Sequence, residues 1–236
     1  MSDPTLFELP AANKTHPARY TDALLTTFAR MLLGSTRILD PFGGTGKVFL
    51  LEHWLPGVQI AAIELEPEWA RLNHRTTIGN ALALPYLDAC FDAVCVSPTY
   101  GSRMADHHDA TDDTERITYT HKLGHKLHAD NTGALQWGPT YRSLHVAAWT
   151  EARRVLQPGG RFVLNIKDHI RGGERRHVTD WHIEALTALG FTLREHVQIA
   201  CPGMRWGANS QARVEYESVI LFEGASPSRM QRARIT

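Results

Sequence analysis

Residues 38–47 of this chain read ILDPFGGTGK, and this stretch decides the fold. A short apolar run ends at Asp40, three glycines follow between positions 43 and 46, and apolar residues resume at Val48. Glycine lets the backbone take positive φ angles and lets a ligand approach without meeting a Cβ atom. The pattern therefore predicts a strand, a tight loop and a helix whose first N–H groups can meet a ligand.

Glycine-rich loops before helices often bind phosphate groups, which is the first alternative for this loop. The spacing argues against it, because the GxxxxGK[ST] pattern is absent and Lys47 is followed by Val48. The GxGxxG pattern of dinucleotide-binding loops is absent as well. A glycine turn that serves only packing stays open as a further alternative.

The composition bounds the size and class of the protein. A chain of 236 residues suits one α/β domain with a substantial core. Its 25 Lys and Arg balance its 25 Asp and Glu, so any binding of nucleic acid must use local positive patches. The three cysteines form no CxxC pair, which argues against a disulfide framework or a zinc ribbon and suits a reducing compartment.

Both ends of the chain and one internal segment differ in composition from the rest. We expect residues 1–14 to form a polar N-terminal arm and residues 224–236 to form a basic flexible tail. Residues 101–138 are polar and rich in histidine, which predicts a mobile substrate loop inserted into a domain that spans residues 15–223. No apolar run is long enough to span a membrane or to serve as a signal peptide, so we expect a cytoplasmic protein.

Apolar spacing predicts that helices and strands alternate along the chain. Helices are predicted near residues 24–32, 47–54, 67–72, 141–156 and 178–189. Strands are predicted near residues 37–40, 58–63, 93–96, 161–166, 192–200 and 214–222, with a further short strand that ends at residues 78–80. Since no helix separates the last two strands, this order predicts a doubly wound, mostly parallel sheet with an antiparallel pair at its end.

Polar residues end four of the predicted parallel strands: Asp40, Glu64, Asn80 and Ser97. Ligands of open α/β sheets bind beyond the carboxyl ends of strands, so these side chains should meet at one crevice. Glu64 suits a pair of ribose hydroxyls, although an acid this close to Pro67 also suits a helix start. Asn80 can both donate and accept, which suits the edge of an adenine ring, but asparagine is also common in turns.

The strand and loop at residues 38–46 resemble the cofactor loop of S-adenosylmethionine-dependent methyltransferases, particularly those that methylate exocyclic amino groups. The resemblance implies S-adenosylmethionine as cofactor. His16-Pro17-Ala18 resembles the motif that precedes this loop in such enzymes and meets the methionine end of the cofactor, although it also suits a plain lead-in to a helix. The implied cofactor-binding residues are His16, Asp40, Phe42, Gly43, Gly44, Thr45, Gly46, Glu64, Leu65, Asn80 and Ala81. Asn80 is a departure, since related enzymes often have aspartate there.

A second motif, Ser97-Pro98-Thr99-Tyr100, resembles the (Asp/Asn/Ser)-Pro-Pro-(Tyr/Phe/Trp) signature of DNA adenine-N6 and cytosine-N4 methyltransferases. The resemblance implies that the Ser97 hydroxyl and the Pro98 carbonyl accept hydrogen bonds from the target amino group. Tyr100 would stack on the extruded base. Thr99 stands where the second proline is usual, which makes the loop less rigid. As sequence alone, Ser-Pro-Thr-Tyr also suits an ordinary turn.

Other residues extend the two motifs. Residues 149–164, which read WTEARRVLQPGGRFVL, resemble a segment that is widespread in methyltransferases and supports the fold more than the substrate. Together the similarities cover about residues 15–222 and imply a seven-stranded, Rossmann-like class I methyltransferase domain with an antiparallel terminal strand pair. Further contacts to substrate are expected from Thr99, Trp137, Arg171 and Arg175.

The resemblance implies a site-specific DNA methyltransferase, of solitary or restriction-modification type, that methylates cytosine N4 or adenine N6. An RNA methyltransferase of the guanine-N2 type is an alternative, because Thr99-Tyr100-Gly101 also suits those enzymes. A non-catalytic module that binds nucleic acid or a protein partner is a second alternative.

The histidines of the insert also raise the possibility of a metal site. They are His107, His108, His121, His125 and His128. His121 and His125 are four residues apart, but Gly124 between them weakens a helix and no HExxH glutamate is present. We therefore expect no metal site and interpret the segment as a substrate loop.

Overall fold

The structure is a computed structural model that describes residues 21–101, 119, 123–201 and 213–226. Its helices are α1 (Asp22–Met31), α2 (Pro67–Ala70), α3 (Pro139–Val155) and α4 (Val178–Ala188), with 3₁₀ helices at Lys47–His53 and Thr132–Ala134. Its strands are β1 (Arg37–Asp40), β2 (Gln59–Glu64), β3 (Thr76–Ile78), β4 (Phe91–Val96), β5 (Leu156–Ile166), β6 (His169–Arg171), β7 (Glu174–Arg176), β8 (Thr192–Ala200) and β9 (Tyr216–Glu223).

Seven strands form one twisted sheet in the order β3-β2-β1-β4-β5-β9-β8. Strands β1 to β5 run parallel, whereas β9 runs antiparallel to both of its neighbours, β5 and β8. The predicted doubly wound sheet with an antiparallel terminal pair is thereby confirmed. The strand order reverses between β1 and β4, and open α/β sheets bind ligands at such a switch point.

Two apolar cores cover the two faces of the sheet, as a buried parallel sheet requires. On one face, Trp149 of α3 packs with Val94 and Phe162 of the central strands. On the other face, Phe28 of α1 packs with the neighbouring strand residue Val163. Because successive strand residues point to opposite faces, the continuous apolar runs of β4 and β5 supply both cores.

Several segments differ from the sequence prediction, and β5 begins at Leu156 rather than near residue 161. The segment after the glycine loop is a 3₁₀ helix rather than an α-helix, and its i, i+3 spacing aligns the buried residues Val48 and Leu51 in one core. Helix α2 is a single turn, because Asn73 Oδ1 accepts the backbone N–H of Arg75 and redirects the chain. Residues 169–176, for which no strand is predicted, form the hairpin β6–β7, and Gly172 and Gly173 both have the positive φ of a type I′ turn.

Candidate active site

The carboxyl ends of the parallel strands bring four predicted residues to one edge of the sheet. Asp40 ends β1 and Glu64 ends β2, the neighbouring strand. Asn80 follows β3 by two residues, and Ser97 directly follows β4. This edge adjoins the β1–β4 switch point, where open α/β sheets bind their ligands, and we refer to it as the crevice.

The glycine loop above β1 is pressed against β2. Gly43 N–H donates to the Ile63 carbonyl at 2.7 Å, and a Cβ on Gly43 would lie 2.9 Å from the Ala62 Cβ. Gly46 has φ 78°, and a Cβ there would lie 2.5 Å from Asn73 Nδ2. A side chain at either position would force the loop away from the strand, so close packing requires glycine here.

Two buried carboxyls face this loop. Glu64 Oε2 accepts the N–H of Gly44 at 2.9 Å, and its Oε1 accepts the N–H of Glu66 at 2.8 Å. Asp40 Oδ1 accepts the N–H of Phe42 at 2.9 Å. Burial raises the pKa of Asp40 and of Glu64 to about 7, against the lowering effect of these backbone hydrogen bonds. Neither group forms an ion pair within the described part of the chain, so both would gain from a ligand that brings hydroxyl donors or positive charge.

A third buried acid, Glu66, ties the end of the insert to the crevice. Its Oε1 accepts the backbone N–H of His128 at 2.9 Å and Asn131 Nδ2 at 2.7 Å. Asn80 Nδ2 donates to Asp130 Oδ2 at 2.8 Å, so the same short segment is held twice. Sequence reasoning missed Glu66, because its partners lie more than 60 residues further along the chain. The one sequence feature that could have indicated Glu66 is its position two residues after Glu64, at the same strand end.

The remaining predicted cofactor residues lie in the glycine loop or shortly after the ends of β2 and β3, apart from His16. Phe42 stacks on His145 of α3, with ring centroids 5.8 Å apart and an interplanar angle of 2°. Thr45 and Ala81 are buried, and Leu65 is half-buried. His16 lies outside the described residues.

The hydroxyl of Tyr100 points into a polar cluster at the end of the sheet, which we define as Ser97, Tyr100, Asn165, Cys201 and Glu217. Tyr100 Oη lies 3.3 Å from Ser97 Oγ, accepts from Asn165 Nδ2 at 3.0 Å and donates to Glu217 Oε2 at 3.4 Å. Burial and the Glu217 charge raise the pKa of Tyr100 well above its usual value. The predicted stacking partner is therefore held by hydrogen bonds. Asn165 and Glu217 are residues that sequence reasoning missed.

Hydrogen bonds brace Thr99, the residue that stands in place of the second proline. Its Oγ1 lies 2.8 Å from Thr132 Oγ1, and its carbonyl accepts Tyr141 Oη at 2.6 Å. Tyr141 Oη lies 3.2 Å from His182 Nε2, and Trp149 Nε1 donates to His182 Nδ1 at 3.1 Å. Because Nδ1 accepts, Nε2 carries the proton and donates to Tyr141. This chain links helices α3 and α4 to the Ser97–Tyr100 loop.

Trp137 contacts the residue that follows the Ser97–Tyr100 loop, and Arg171 contacts the residue that precedes Trp137. The backbone N–H of Trp137 donates to the Gly101 carbonyl at 3.0 Å. The half-buried indole ring of Trp137 packs edge-on against Trp181. Arg171 Nη1 donates to Gln136 Oε1 at 3.0 Å. Both side chains are thus near the Ser97–Tyr100 loop, and their contact with substrate stays a prediction.

Arg175 has a structural partner on each side. Its Nε donates to the buried carboxylate of Asp168 at 2.8 Å, and its Nη2 donates to Tyr216 Oη. Asp168 also accepts the N–H of Thr179 at the start of α4. Arg175 therefore joins the β6–β7 hairpin to the domain, and a substrate contact would have to share its guanidinium.

Within the described residues, no three His, Cys, Asp or Glu side chains lie close enough to hold a metal ion. His125 Nε2 lies 3.1 Å from Glu68 Oε1, whereas His107, His108 and His121 lie outside these residues. In the same part of the chain, no helix has the length and apolar character needed to cross a membrane.

No protein-family model matches the chain, and no curated protein matches its sequence. Its structure is similar to that of an S-adenosylmethionine-dependent methyltransferase from Methanosarcina mazei, with 15% identity, coverage of 85% of this chain and 97% of the other, and a TM-score of 0.53. The [4+2]-cyclase SpnF has 17% identity, coverage of 87% and 82%, and a TM-score of 0.54. TrmN from Thermus thermophilus has 18% identity, coverage of 91% and 52%, and a TM-score of 0.53.

These similarities define the fold. The chain has the class I fold of S-adenosylmethionine-dependent methyltransferases, with the predicted seven-stranded sheet. A cyclase shares this fold, so the fold by itself does not determine the reaction. The chemistry has to be argued from the side chains at the crevice.

Proposed function

We propose that this protein binds S-adenosylmethionine and transfers its methyl group. The observation that carries the proposal is the pair of buried, unneutralised carboxyls, Asp40 and Glu64, beside a glycine loop at the switch point. S-adenosylmethionine offers ribose hydroxyls as donors and carries positive charge on its sulfonium and ammonium groups. Glu64 Oε2 accepts the Gly44 N–H and Oε1 accepts the Glu66 N–H, and a carboxylate offers about four acceptor positions, so capacity for a ribose hydroxyl remains among the described contacts. The residues present therefore fit this cofactor.

Each end of the crevice has a role in the proposal. Glu64 holds the ribose, and the loop backbone beside Gly44 and Thr45 lies against the cofactor. Asn80 and its neighbour Asp130 offer polar groups to the edge of the adenine ring. When bound, the cofactor supplies a methyl group on a sulfonium, which is open to attack by a nucleophile. The protein has to hold that nucleophile in line with the methyl carbon.

For the acceptor, we propose the exocyclic amino nitrogen of a base in DNA, cytosine N4 or adenine N6. Such a nitrogen is a poor nucleophile because its lone pair is delocalised into the ring. Oxygen acceptors that bind its N–H groups fix the geometry in which the lone pair faces the methyl carbon. Ser97 Oγ and the Pro98 carbonyl lie at the end of β4, next to the strand that ends in Asp40. Tyr100 would stack on the base once its hydroxyl is released.

The Tyr100-Gly101 pair, which suggested RNA as an alternative substrate, has a packing explanation. Gly101 has φ 62°, and a Cβ there would lie 3.0 Å from Trp137 N and 3.3 Å from the Tyr141 ring. Glycine is thus required at this position whatever the substrate is. DNA therefore stays the first proposal, and RNA becomes an outcome of the test.

Methyl transfer with labelled S-adenosylmethionine tests the proposal on duplex DNA, single-stranded DNA and RNA in parallel. We expect label in DNA, whereas label in RNA alone would exclude DNA as substrate. Calorimetry on the same sample measures cofactor binding. A chain that binds no S-adenosylmethionine would favour the non-catalytic alternative.

Variants separate the two halves of the site. Ser97→Ala should reduce turnover and leave cofactor affinity nearly unchanged, because Ser97 faces the acceptor. Glu64→Ala should weaken cofactor binding first. Ser143→Ala, at an exposed position on α3, is the matched control and should behave like the wild type. Full activity in Ser97→Ala would remove the proposed acceptor role of its hydroxyl.

A further inference from the structure

One short segment of the insert, residues 128–133, joins the two ends of the proposed site, and we call this segment the strap. At the cofactor end, Glu66 Oε1 accepts the backbone N–H of His128 at 2.9 Å and the Nδ2 of Asn131 at 2.7 Å. The backbone N–H of Glu66 donates to Oε1 of Glu64, the proposed ribose ligand, at 2.8 Å. The strap is thus anchored two residues from the group that would hold the cofactor.

At the acceptor end of the site, the strap contacts Thr99 through a buried threonine. Thr132 is 3% exposed, and its Oγ1 lies 2.8 Å from Thr99 Oγ1. Thr99 stands where a second proline is usual in the loops that this one resembles, and a proline would offer no hydroxyl to the strap. A separate hydrogen bond, from Tyr141 Oη, reaches the Thr99 carbonyl. The strap therefore holds the side chain of Thr99, whereas helix α3 holds its backbone.

A single side chain within the strap connects its two ends. Asn131 donates to Glu66 through Nδ2 and accepts the backbone N–H of Gly133 at 2.9 Å through Oδ1. The second contact closes a local turn at the start of the 3₁₀ helix Thr132–Ala134. Because the first residue of this helix is the one that meets Thr99, the anchor on Glu66 and the contact to the loop belong to one hydrogen-bonded unit.

Burial makes the position of the strap depend on Glu66. This residue is 3% exposed, and it forms no ion pair among the described residues. A buried carboxylate is costly unless hydrogen bonds satisfy it. In the described part of the chain, both donors to the Glu66 carboxylate come from the strap. The docked strap and the buried carboxylate therefore require each other.

We propose that Glu66 is a positioning residue for methyl transfer, which acts through the strap to hold the Ser97–Tyr100 loop in place relative to the cofactor. The inference rests on the proposed function and adds the part of the insert that aligns its two halves. Transfer requires the nucleophile in line with the methyl carbon, and a displacement of about 1 Å can lower the rate roughly a hundredfold.

Turnover and cofactor affinity of three variants test the proposal. Turnover is methyl transfer to duplex DNA at saturating S-adenosylmethionine, and calorimetry gives the Kd of the cofactor. Glu66→Ala removes the anchor, and Thr132→Val removes the hydroxyl at the other end with little change of shape. We expect each to lower turnover by about tenfold or more and to change the Kd by less than about threefold. Glu66→Gln keeps an Oε1 acceptor for both donors and should retain turnover within about threefold of the wild type.

A double variant and a matched control separate positioning from independent damage. If both residues act through the strap, Glu66→Ala/Thr132→Val should lose no more turnover than the more severe single variant, because each substitution breaks the same connection. Glu68→Gln is the control, since Glu68 also contacts the insert, through His125 at 3.1 Å, but at an exposed position. Exposed ion pairs contribute little, so this variant should behave like the wild type.

Hydrogen exchange measured by mass spectrometry reports on the loop without any need for activity. The peptide that covers residues 97–101 should exchange faster in Glu66→Ala and Thr132→Val than in the wild type. Glu66→Gln and Glu68→Gln should keep the wild-type exchange. Circular dichroism checks folding, and Thr132→Val decides if Glu66→Ala does not fold.

Wild-type turnover and exchange in Glu66→Ala and Thr132→Val would overturn the proposal, and so would losses that multiply in the double variant. A Glu66→Gln variant as impaired as Glu66→Ala would assign the effect to the charge rather than to the strap. A weaker Kd that explains the whole loss in Glu66→Ala would place the residue in the cofactor site instead. A wild type that transfers no label to DNA or RNA would remove the proposed function, and the exchange of residues 97–101 would then decide by itself whether Glu66 holds the loop.

Discussion

Gly46 and Gly57 have nearly the same φ angle, 78° and 81°, but different surroundings. A Cβ on Gly46 would meet Asn73 Nδ2 at 2.5 Å and Asn73 Cβ at 2.9 Å, whereas nothing lies within 4 Å of a Cβ on Gly57. We expect Gly57→Ala to cost about 1–2 kcal/mol in unfolding free energy from left-handed strain alone. Gly46→Ala should cost a further ~1–3 kcal/mol from overpacking.

Urea unfolding of both glycine variants measures the difference. The double variant Gly46→Ala/Asn73→Ala should recover part of the loss, because it removes Asn73 Nδ2 and Cγ and leaves only the Asn73 Cβ in close contact. Equal losses in Gly46→Ala and Gly57→Ala would mean that the loop yields without cost.

The two buried carboxyls predict a pH dependence of cofactor binding. Burial raises the pKa of Asp40 and Glu64 to about 7, so both take up protons as the pH falls below that value. A cationic ligand favours the ionised forms. Affinity for S-adenosylmethionine should therefore fall by about tenfold per pH unit below about pH 7 for each proton that must leave on binding.

Calorimetry between about pH 5.5 and about pH 7.5 checks this expectation. Glu64→Gln should bind less tightly near neutral pH and show a shallower pH dependence, because one titrating group is gone. Glu195→Gln, a surface carboxylate paired with Arg30, is the control that should keep the wild-type slope. A wild-type affinity that does not change over this range would contradict the prediction.

At the scale of elements, helices α3 and α4 hold the Ser97–Tyr100 loop through one hydroxyl. Tyr141 Oη donates to the Thr99 carbonyl and accepts from His182. Tyr141→Phe keeps the ring but leaves the buried His182 and the half-buried Thr99 carbonyl without this partner, so we expect a loss of about 1–3 kcal/mol in stability. Tyr86→Phe is the matched control, since its hydroxyl makes no hydrogen bond among the described residues, and it should change stability by less than about 0.5 kcal/mol.

Stability and turnover of Tyr141→Phe, measured together, show whether the hydroxyl positions the Ser97–Tyr100 loop or whether the ring only packs. If Tyr141 positions the loop, Tyr141→Phe should lower turnover more than it changes cofactor affinity. An unfolding free energy like that of Tyr86→Phe would show that the hydroxyl contributes nothing.

Local patterns predicted most elements, because the strands are continuous apolar runs and the helices have one apolar face. The limits lie where distant contacts decide the conformation. The 3₁₀ winding of Lys47–His53 follows from packing into a shared core, and the length of α2 depends on the side chain of Asn73. Gly172–Gly173 was the local signal for the β6–β7 hairpin, since two successive glycines suit a type I′ turn.

The same distinction applies to the candidate site. Asp40, Glu64, Asn80 and Ser97 could be predicted because each ends a strand, and parallel strands end at one edge. The inward position of Tyr100 could not, because Asn165 and Glu217 come from strands 65 and 117 residues further along the chain. Only pairing of β5 with β9 brings those side chains together.

At the scale of the whole molecule, two sets of buried groups respond oppositely to acid. Burial lowers the pKa of His145 and His169 to about 4 and that of His182 well below its usual value. The unfolded chain therefore binds their protons first, and stability falls as the pH drops from about 6.5 towards about 4. Asp40 and Glu64 have raised pKa values, so the folded protein binds their protons first and stability rises as the pH drops from about 7.

Bound cofactor should remove the contribution of Asp40 and Glu64, which otherwise offsets that of the buried histidines as the pH falls. Bound S-adenosylmethionine keeps the two carboxyls ionised, so only the histidine contribution remains. We expect the unfolding free energy with saturating cofactor to fall by about 1.4 kcal/mol per pH unit for each histidine below about pH 6.5, and the ligand-free protein to change much less. Chemical unfolding at several pH values with and without cofactor measures both curves, and parallel curves would contradict the prediction.

The position of β9 between β5 and β8 affects how the chain matures during synthesis. Strand β5 pairs with β4 on one edge, but its other edge stays open until residues 216–223 leave the ribosome. Phe162, Val163 and Leu164 are fully buried in the finished sheet, so the nascent chain presents an apolar, unpaired strand while the intervening residues are translated. Such an edge recruits other chains. Translation pauses or premature stops between β5 and β9 should therefore produce aggregates, whereas the completed sheet closes this edge.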